Sequence, residues 1–399
     1  MQEEKFPYID RLDETVLDEA ILRFGTPTYV FDVEQAKKRA RAFRGIIGQA
    51  ADLCYAMKAN PFLVRAMAEE VNRIEVCSMG EFRICKQKEI PAEKLLISGV
   101  MKDRDDLWEI LETYGNRCHY TIESLNQYAI LNEWARSSGK KVPVYLRLTS
   151  GNQFGMDEET LTNIVELEQD KDLLEICGIH YFSGTQKKRK KTLEELTYLD
   201  EVFARLKEKT GYQVTELEYG PGLAVPYFAR QADERFETLE AIADALAKMQ
   251  WQGKVTLEMG RAFVADCGYY ITTVKDTKRS GDQNYCIIDG GMHQVNYDGQ
   301  IRGMYQPKLT IRPQGARGIY QNWTICGELC TGNDILVQNI KIDDLRVGST
   351  IIFENTGAYA VTEGMALFLC HVLPSVVLYD PVGGFTQVRA RRETYVWNS

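Results

Sequence analysis

Nowhere in the 399 residues does an uninterrupted apolar run approach the roughly 20 residues that a membrane-spanning helix needs. The opening MQEEKFPYID is acidic and has no apolar leader segment, so no secretory signal is expected and the chain reads as cytoplasmic. A concentrated basic face is missing too. The net charge is −9, and nucleic acid is not an expected partner. The one dense basic run, KKRKK at 187–191, is expected to be the solvated start of a helix, with a phosphate or acidic-partner patch as the alternative. Ten cysteines are present without the close paired spacing of a disulfide scaffold or a zinc knuckle. Cys54, Cys77, Cys177 and Cys286 fall in apolar, strand-like segments and read as reduced core thiols. Internal repeats and low-complexity tracts are also lacking.

The remainder has the composition of a globular protein, with 44% apolar and 26% charged residues. The length suits one large domain and a smaller one, or two comparable domains. From about residue 50, short apolar or β-branched runs alternate with longer amphipathic ones, the pattern of βα units on a parallel sheet. Eight strands are expected at 52–59, 74–79, 94–99, 119–122, 142–148, 175–184, 215–222 and 254–260. Helices are expected at 102–114, 123–138, 157–169, 190–209 and 234–249, several opening on Asp, Ser or Thr caps. Eight such units over about 210 residues predict a (β/α)₈ TIM-like barrel, whose usual length is about 250. After residue 268 the segments YYITTVKDTK, NYCIIDGG, WTICGELC, DILVQNIKI, TIIFENTG and SVVLYD follow one another with short turns, predicting a C-terminal β-rich domain. PTYVFD (27–32) is a candidate to join it. The expected division is therefore a barrel over 33–268 and a β-rich domain from 1–32 and 269–399.

In such a barrel, reactive groups collect at the C-terminal ends of the strands. That rule gathers Lys58 from strand 1, His180 to Gly184 from strand 6, Gly220–Pro221–Gly222 from strand 7, and Glu258 to Arg261, including Gly260, from strand 8. Alone, each has a plainer reading: a rim lysine, a turn, a rim ion pair. Together they are more specific. A lysine against apolar walls loses hydration and becomes a usable amine nucleophile. The glycines open backbone N–H groups to a phosphate beside the forked cation of Arg261. Glu258 would keep a pyridine nitrogen protonated. A lysine, a phosphate cradle and a carboxylate describe a site for pyridoxal 5′-phosphate (PLP), and the CxxxC pair at 326 and 330 lacks the second pair that a metal site would need.

The segments FGTPTYVFD, SGVMK, QFGMD, GIHYFSGTQ, YGPGLAVPYF, EMGR, DGGMH, GELCTGND and TGAYA cover nearly the whole chain and resemble the fold-type III PLP-dependent decarboxylases of diaminopimelate, ornithine and arginine, a fold type shared with the alanine racemases. The resemblance implies Lys58 as the PLP lysine, Glu258 as the pyridinium partner, and phosphate contacts from Ser183, Gly222, Arg261 and Tyr359. It also implies a homodimer in which the loop carrying Cys330, as proton donor, and Asp334 completes the partner's site.

Glu258 favours decarboxylation over racemisation, because a protonated ring is the stronger electron sink and racemases set an arginine there. Two positions depart from the usual decarboxylase pattern. Phe182 stands where a histidine usually stacks on the cofactor, with His180 matching the histidine before it. Thr331 stands where an acidic residue usually captures a distal amine, and a neutral hydroxyl offsets no desolvated ammonium. The combination of QFGMDE, GIHxxxGTQ, a G-x-G turn running into VPYF, DGGMH and CTxxD resembles the branch that decarboxylates a glutamyl group carried on an acyl carrier protein, and that resemblance accounts for both departures. The expected substrate is therefore an amino acid or a carrier-bound amino-acyl group, with Arg302, Thr331, Asp334 and Tyr359 as contacts and His293 as a structural histidine. Plain diaminopimelate decarboxylase is the alternative, ahead of a racemase or a catalytically silent regulator of the same fold.

Overall fold

The computed structural model describes residues 9–313 and 318–399; the acidic opening MQEEKFPY lies outside them. The chain divides into two compact units. One holds Ala40–Ala224 and Glu234–Ala262; the other holds the residues up to Arg39, Val225–Asp233 and Phe263–Ser399.

After strand β1 (Thr28–Asp32), eight parallel strands close on themselves: β2 (Asp52–Ala56), β3 (Arg73–Val76), β4 (Leu95–Ile97), β5 (His119–Ile122), β6 (Val142–Leu148), β7 (Leu174–Phe182), β8 (Glu216–Gly220) and β9 (Lys254–Met259). Closure is made by β9 pairing back onto β2, Cys54 opposite Glu258. These strands are largely buried on both faces because helices cover the outside and side chains fill the inside. The expected helices form at Arg104–Tyr114, Leu125–Ser138, Glu158–Lys171, Arg189–Thr210 and Arg235–Leu246. Asp103, Ser124 and Asp157 cap the first three by accepting from backbone N–H groups. Helices Val33–Ile47, Val64–Glu70 and Met79–Gln87 were not anticipated from the sequence.

Several strands stop short of their expected ends for local reasons. The first ends at Ala56, and Met57–Ala59 is a turn of 3₁₀ helix, so Lys58 is not on the strand. Asn60 precedes a proline, which disfavours helical backbone there, and its side chain accepts from Phe62 N to start the next turn. The second ends at Val76 because Ser78 caps Met79–Gln87. The seventh ends at Gly220, before a proline and the left-handed Gly222 (φ +60°).

The barrel interior is not wholly apolar. Arg73 pairs with the fully buried Glu218 at 2.5 Å and donates to Tyr145 Oη at 2.9 Å. Burial pushes the Glu218 carboxyl up while Arg73 draws it down. Each charge holds the other, since a lone charge left in such a place costs roughly 3–5 kcal/mol.

The second unit is built on β10 (Gly268–Ser280), β11 (Gln283–Ile288), β12 (Leu309–Arg312), β13 (Tyr320–Cys326), β14 (Ile335–Asp343), β15 (Thr350–Glu354), β16 (Ser375–Asp380) and β17 (Gly384–Arg389). With β1 they form one sheet in the order β14-β13-β11-β10-β1-β16-β17, while β15 pairs with β10 and β12. PTYVFD does join this unit: β1 lies between antiparallel β10 and parallel β16. Leu17 and Ala20 of the helix Glu14–Phe24 pack with Val30, Tyr269, Ile271 and Ile352 in its core. The GELC segment, expected as strand, is loop, because β13 ends at Cys326 where its register with β14 shifts.

Candidate active site

At the C-terminal mouth of the barrel, the Lys58 amine lies 2.8 and 3.0 Å from the two carboxylate oxygens of Glu75, 3.4 Å from Cys77 Sγ and 3.9 Å from Glu258 Oε1. The expected apolar walls are therefore replaced by carboxylates, and the side chain keeps 37% exposure. Glu75 lies on β3, next to the barrel strand that leads into Lys58. Cys77 follows it and donates to Glu75 at 2.8 Å; burial and then the Glu75 charge push its thiol well up, so it stays protonated.

Glu258, on β9, is 6% exposed and accepts a hydrogen bond from His180 Nε2 of β7 at 2.9 Å. Burial works against its charge. The His180 hydrogen bond and the charges of Lys58 and Arg147 outweigh that and hold the carboxyl below its ordinary value. His180 is thus the group that orients Glu258. A second buried group flanks the mouth: Glu123 pairs with Arg147 at 3.0 Å, and Lys102 donates to Gly99 O, Thr121 Oγ1 and Gln127 Oε1. Burial pushes the Lys102 ammonium down to about 8.

The glycine cradle forms between the ends of β7 and β8. Gly184 has φ +139° and Gly222 φ +60°, and a Cβ on Gly222 would stand 2.2 Å from Gly184 O. Only glycine keeps that approach, and it leaves backbone open to an anion. Gly260 has a different role: a Cβ there would meet Ala59 Cβ at 2.8 Å, so it lets the end of β9 press against the Lys58 turn. A Cβ on Gly220 would meet the Phe182 ring, which fixes that ring beside the cradle. Arg261 donates from Nε to Thr185 Oγ1 at 3.3 Å.

The basic run corrects in part. Arg189–Lys191 do open a helix, and Lys190 is exposed, but Lys187 turns inward. Its amine pairs with Glu195 at 2.5 Å and donates to Ser183 Oγ and Gly220 O, both at 3.1 Å. Ser183 also donates to Glu195, so this buried pair fixes the hydroxyl expected to meet a phosphate.

Five expected residues lie in the β-rich unit. Tyr359 sits in a turn with φ +64°, and Arg302 is on an exposed loop. Cys330 is exposed on the loop after β13, and the amide of Thr331 next to it donates to Leu329 O. Asp334 is 2% exposed, and its carboxylate accepts from the backbone of Met292 at 2.7 Å and Leu329 at 2.9 Å. It fastens the DGGMH segment to the GELC loop.

A carboxylate-held lysine, an ionised buried glutamate and a glycine cradle on three successive edges of one barrel mouth fit PLP. Residues 33–265 match the family described as pyridoxal-dependent decarboxylase, pyridoxal binding domain. The chain belongs to this family. It is a PLP-binding decarboxylase. It is 26% identical over 394 residues to the L-glutamyl-[BtrI acyl-carrier protein] decarboxylase of Niallia circulans, covering 92% of each chain. It is 27% identical over 382 residues to the diaminopimelate decarboxylase of Aquifex aeolicus, covering 88% of each. The two identities do not separate the carrier-linked branch from the free amino-acid one. In fold it resembles diaminopimelate decarboxylase from M. jannaschii in complex with L-lysine, with a TM-score of 0.84, 23% identity and coverage of 94% and 91%. Among the described residues, no helix is long and apolar enough to cross a membrane.

For this decarboxylase, sequence reasoning missed Glu75, Cys77, Lys102, Glu123, Arg147 and the Lys187–Glu195 pair. The first two and Arg147 fall inside the expected strands 74–79 and 142–148; Glu75 and Cys77 reach the mouth because β3 ends at Val76, short of the expected end.

Proposed function

We propose that this decarboxylase removes the α-carboxylate of a free amino acid of the diaminopimelate class. The observation that supports it is the Lys58–Glu75–Glu258 arrangement, set in a chain with several relatives named diaminopimelate decarboxylase. When bound, PLP takes up the electron pair left on Cα as CO₂ departs. The chain's own residues do the rest. Lys58 anchors the cofactor. Glu258, held by His180, keeps a negative charge where the ring nitrogen would sit. The glycine cradle and Arg261 hold the phosphate, and Cys330 of the partner subunit returns a proton to Cα.

Thr331 favours a second reading, a glutamyl group on an acyl carrier protein, which needs no acidic anchor at its far end and matches the Niallia relative. CO₂ release from a panel of diaminopimelate, lysine, ornithine, arginine, free glutamate and carrier-loaded glutamate separates the two. Diaminopimelate is expected to turn over fastest; turnover confined to carrier-loaded glutamate would overturn the first reading in favour of the second.

We also infer that the protein works as a homodimer, with the Cys330 loop of one chain serving the site of the other. Ile301, Met304, Leu367 and Phe368 are 63%, 64%, 46% and 43% exposed, large apolar side chains left open to a partner. Sedimentation of the purified protein should give twice the mass of one chain, and a Met304→Asp substitution should shift it towards the monomer. A monomeric wild-type protein with full activity would reject the shared site.

A further inference from the structure

Within the β-rich unit, three side chains that the decarboxylase chemistry does not use converge. His293 follows the DGGM segment, Glu328 stands two residues before Cys330, and His371 follows the FLC turn. Glu328 Oε1 lies 3.4 Å from His293 Nε2 and 3.2 Å from His371 Nδ1, and all three ligand atoms fall within 4.8 Å of one another. Their three segments are held together independently. Glu328 N donates to Gly290 O at 2.7 Å, Thr394 Oγ1 donates to His371 O at 2.8 Å, and a Cβ on Gly364 would stand 2.3 Å from His293 O.

His293 is the informative member. It is 1% exposed, and neither ring nitrogen has a hydrogen-bond partner among the described residues, although one faces a carboxylate. Buried imidazoles ordinarily find partners. Simple pairing with Glu328 does not supply one, because the 3.4 Å approach is not aligned for a hydrogen bond. A cation between the three groups would. Ligand atoms around a tetrahedral ion with bonds of about 2.0–2.1 Å are separated by about 3.3–3.4 Å. Two edges of this triangle already have that length, and the third closes by a small rotation of one partly exposed ring. Two neutral imidazoles and one carboxylate suit a borderline divalent transition ion rather than calcium or magnesium, which take oxygen. Glu328 and His371 each keep 27% exposure, which leaves a fourth position open to water.

We propose that His293, Glu328 and His371 form a binding site for one divalent transition metal ion, zinc by chemistry, which clamps the loop carrying Cys330 to the DGGMH and FLCH segments. The site stands on the geometry of the β-rich unit and not on the decarboxylation reading.

The test is metal retention by the full-length holoenzyme after treatment with chelator, addition of Zn²⁺ and extensive dialysis. About one equivalent per chain is expected to remain, with a rise in melting temperature reversed by chelator. In His371→Gln and Glu328→Gln the affinity should fall at least about tenfold, at unchanged circular dichroism and cofactor absorbance. Replacement by Co²⁺ decides the matter without any variant: tetrahedral d–d bands should appear without thiolate-to-cobalt charge transfer. Trace retention by the wild type, retention unchanged in both variants, or a thiolate spectrum would each overturn the site. None of these readings involves turnover, so CO₂ release remains a separate test of the decarboxylase function.

Discussion

Glu258→Gln is expected to give a protein that still binds PLP and is still yellow but releases CO₂ at least roughly 10²–10³-fold more slowly, the usual cost of removing one preorganised charge from a catalytic site. The substitution keeps shape and the contact to His180 while deleting the negative charge. Glu258 is buried, so no solvent ion replaces that charge, and its carboxyl is ionised across the neutral pH range because its value is held down. Cofactor absorbance and single-turnover CO₂ release, measured on the same sample, separate loss of binding from loss of chemistry. A variant within about tenfold of wild type in kcat would show that the carboxylate is not the electrostatic partner of the ring.

Lys58→Ala should have the larger effect on the cofactor itself. The amine is placed by a 3₁₀ turn wedged between Asn60 and the close approach of Gly260, and two carboxylate oxygens of Glu75 fix its tip. Without it the purified protein is expected to be colourless after dialysis. CO₂ release should fall by at least about 10²–10⁴-fold, the range for losing a positioned proton-transfer group, before the lost covalent anchor is counted. Retention of the cofactor band in the alanine variant would move the anchoring role to another amine, and Lys102, whose burial brings it down to about 8, is the group to examine next.

The architecture was largely legible because a barrel strand buried on both faces leaves an apolar run that few other structures need. HYTI and VPVYLRL form strands with the expected bounds. The ends were harder. Whether the chain after Ala56 continues as strand or turns depends on Asn60, Pro61 and the packing of Gly260, the last of which is some two hundred residues away and invisible to a local window. The strands β12 and β17 escaped notice because they are short and only half-buried, without strong alternation. In the site, residues at strand ends were found by position. Glu195 was not, since it reaches Ser183 and Lys187 from within a helix and carries no signal beyond its charge. Lys187 reads as one of five equivalent basic residues until the fold turns it inward.

The position of β1 has a consequence for how the polypeptide matures. Thr28 pairs with Ile271 on one side and with Ser375 on the other. During translation, this early segment, wholly buried in the folded protein, has no lasting home until the last strands leave the ribosome, whereas the inserted barrel has all its own pieces much sooner. The barrel is thus placed to assemble first, and the nascent TYVFD segment needs shelter, from a chaperone or from transient collapse, for most of the time the ribosome is at work.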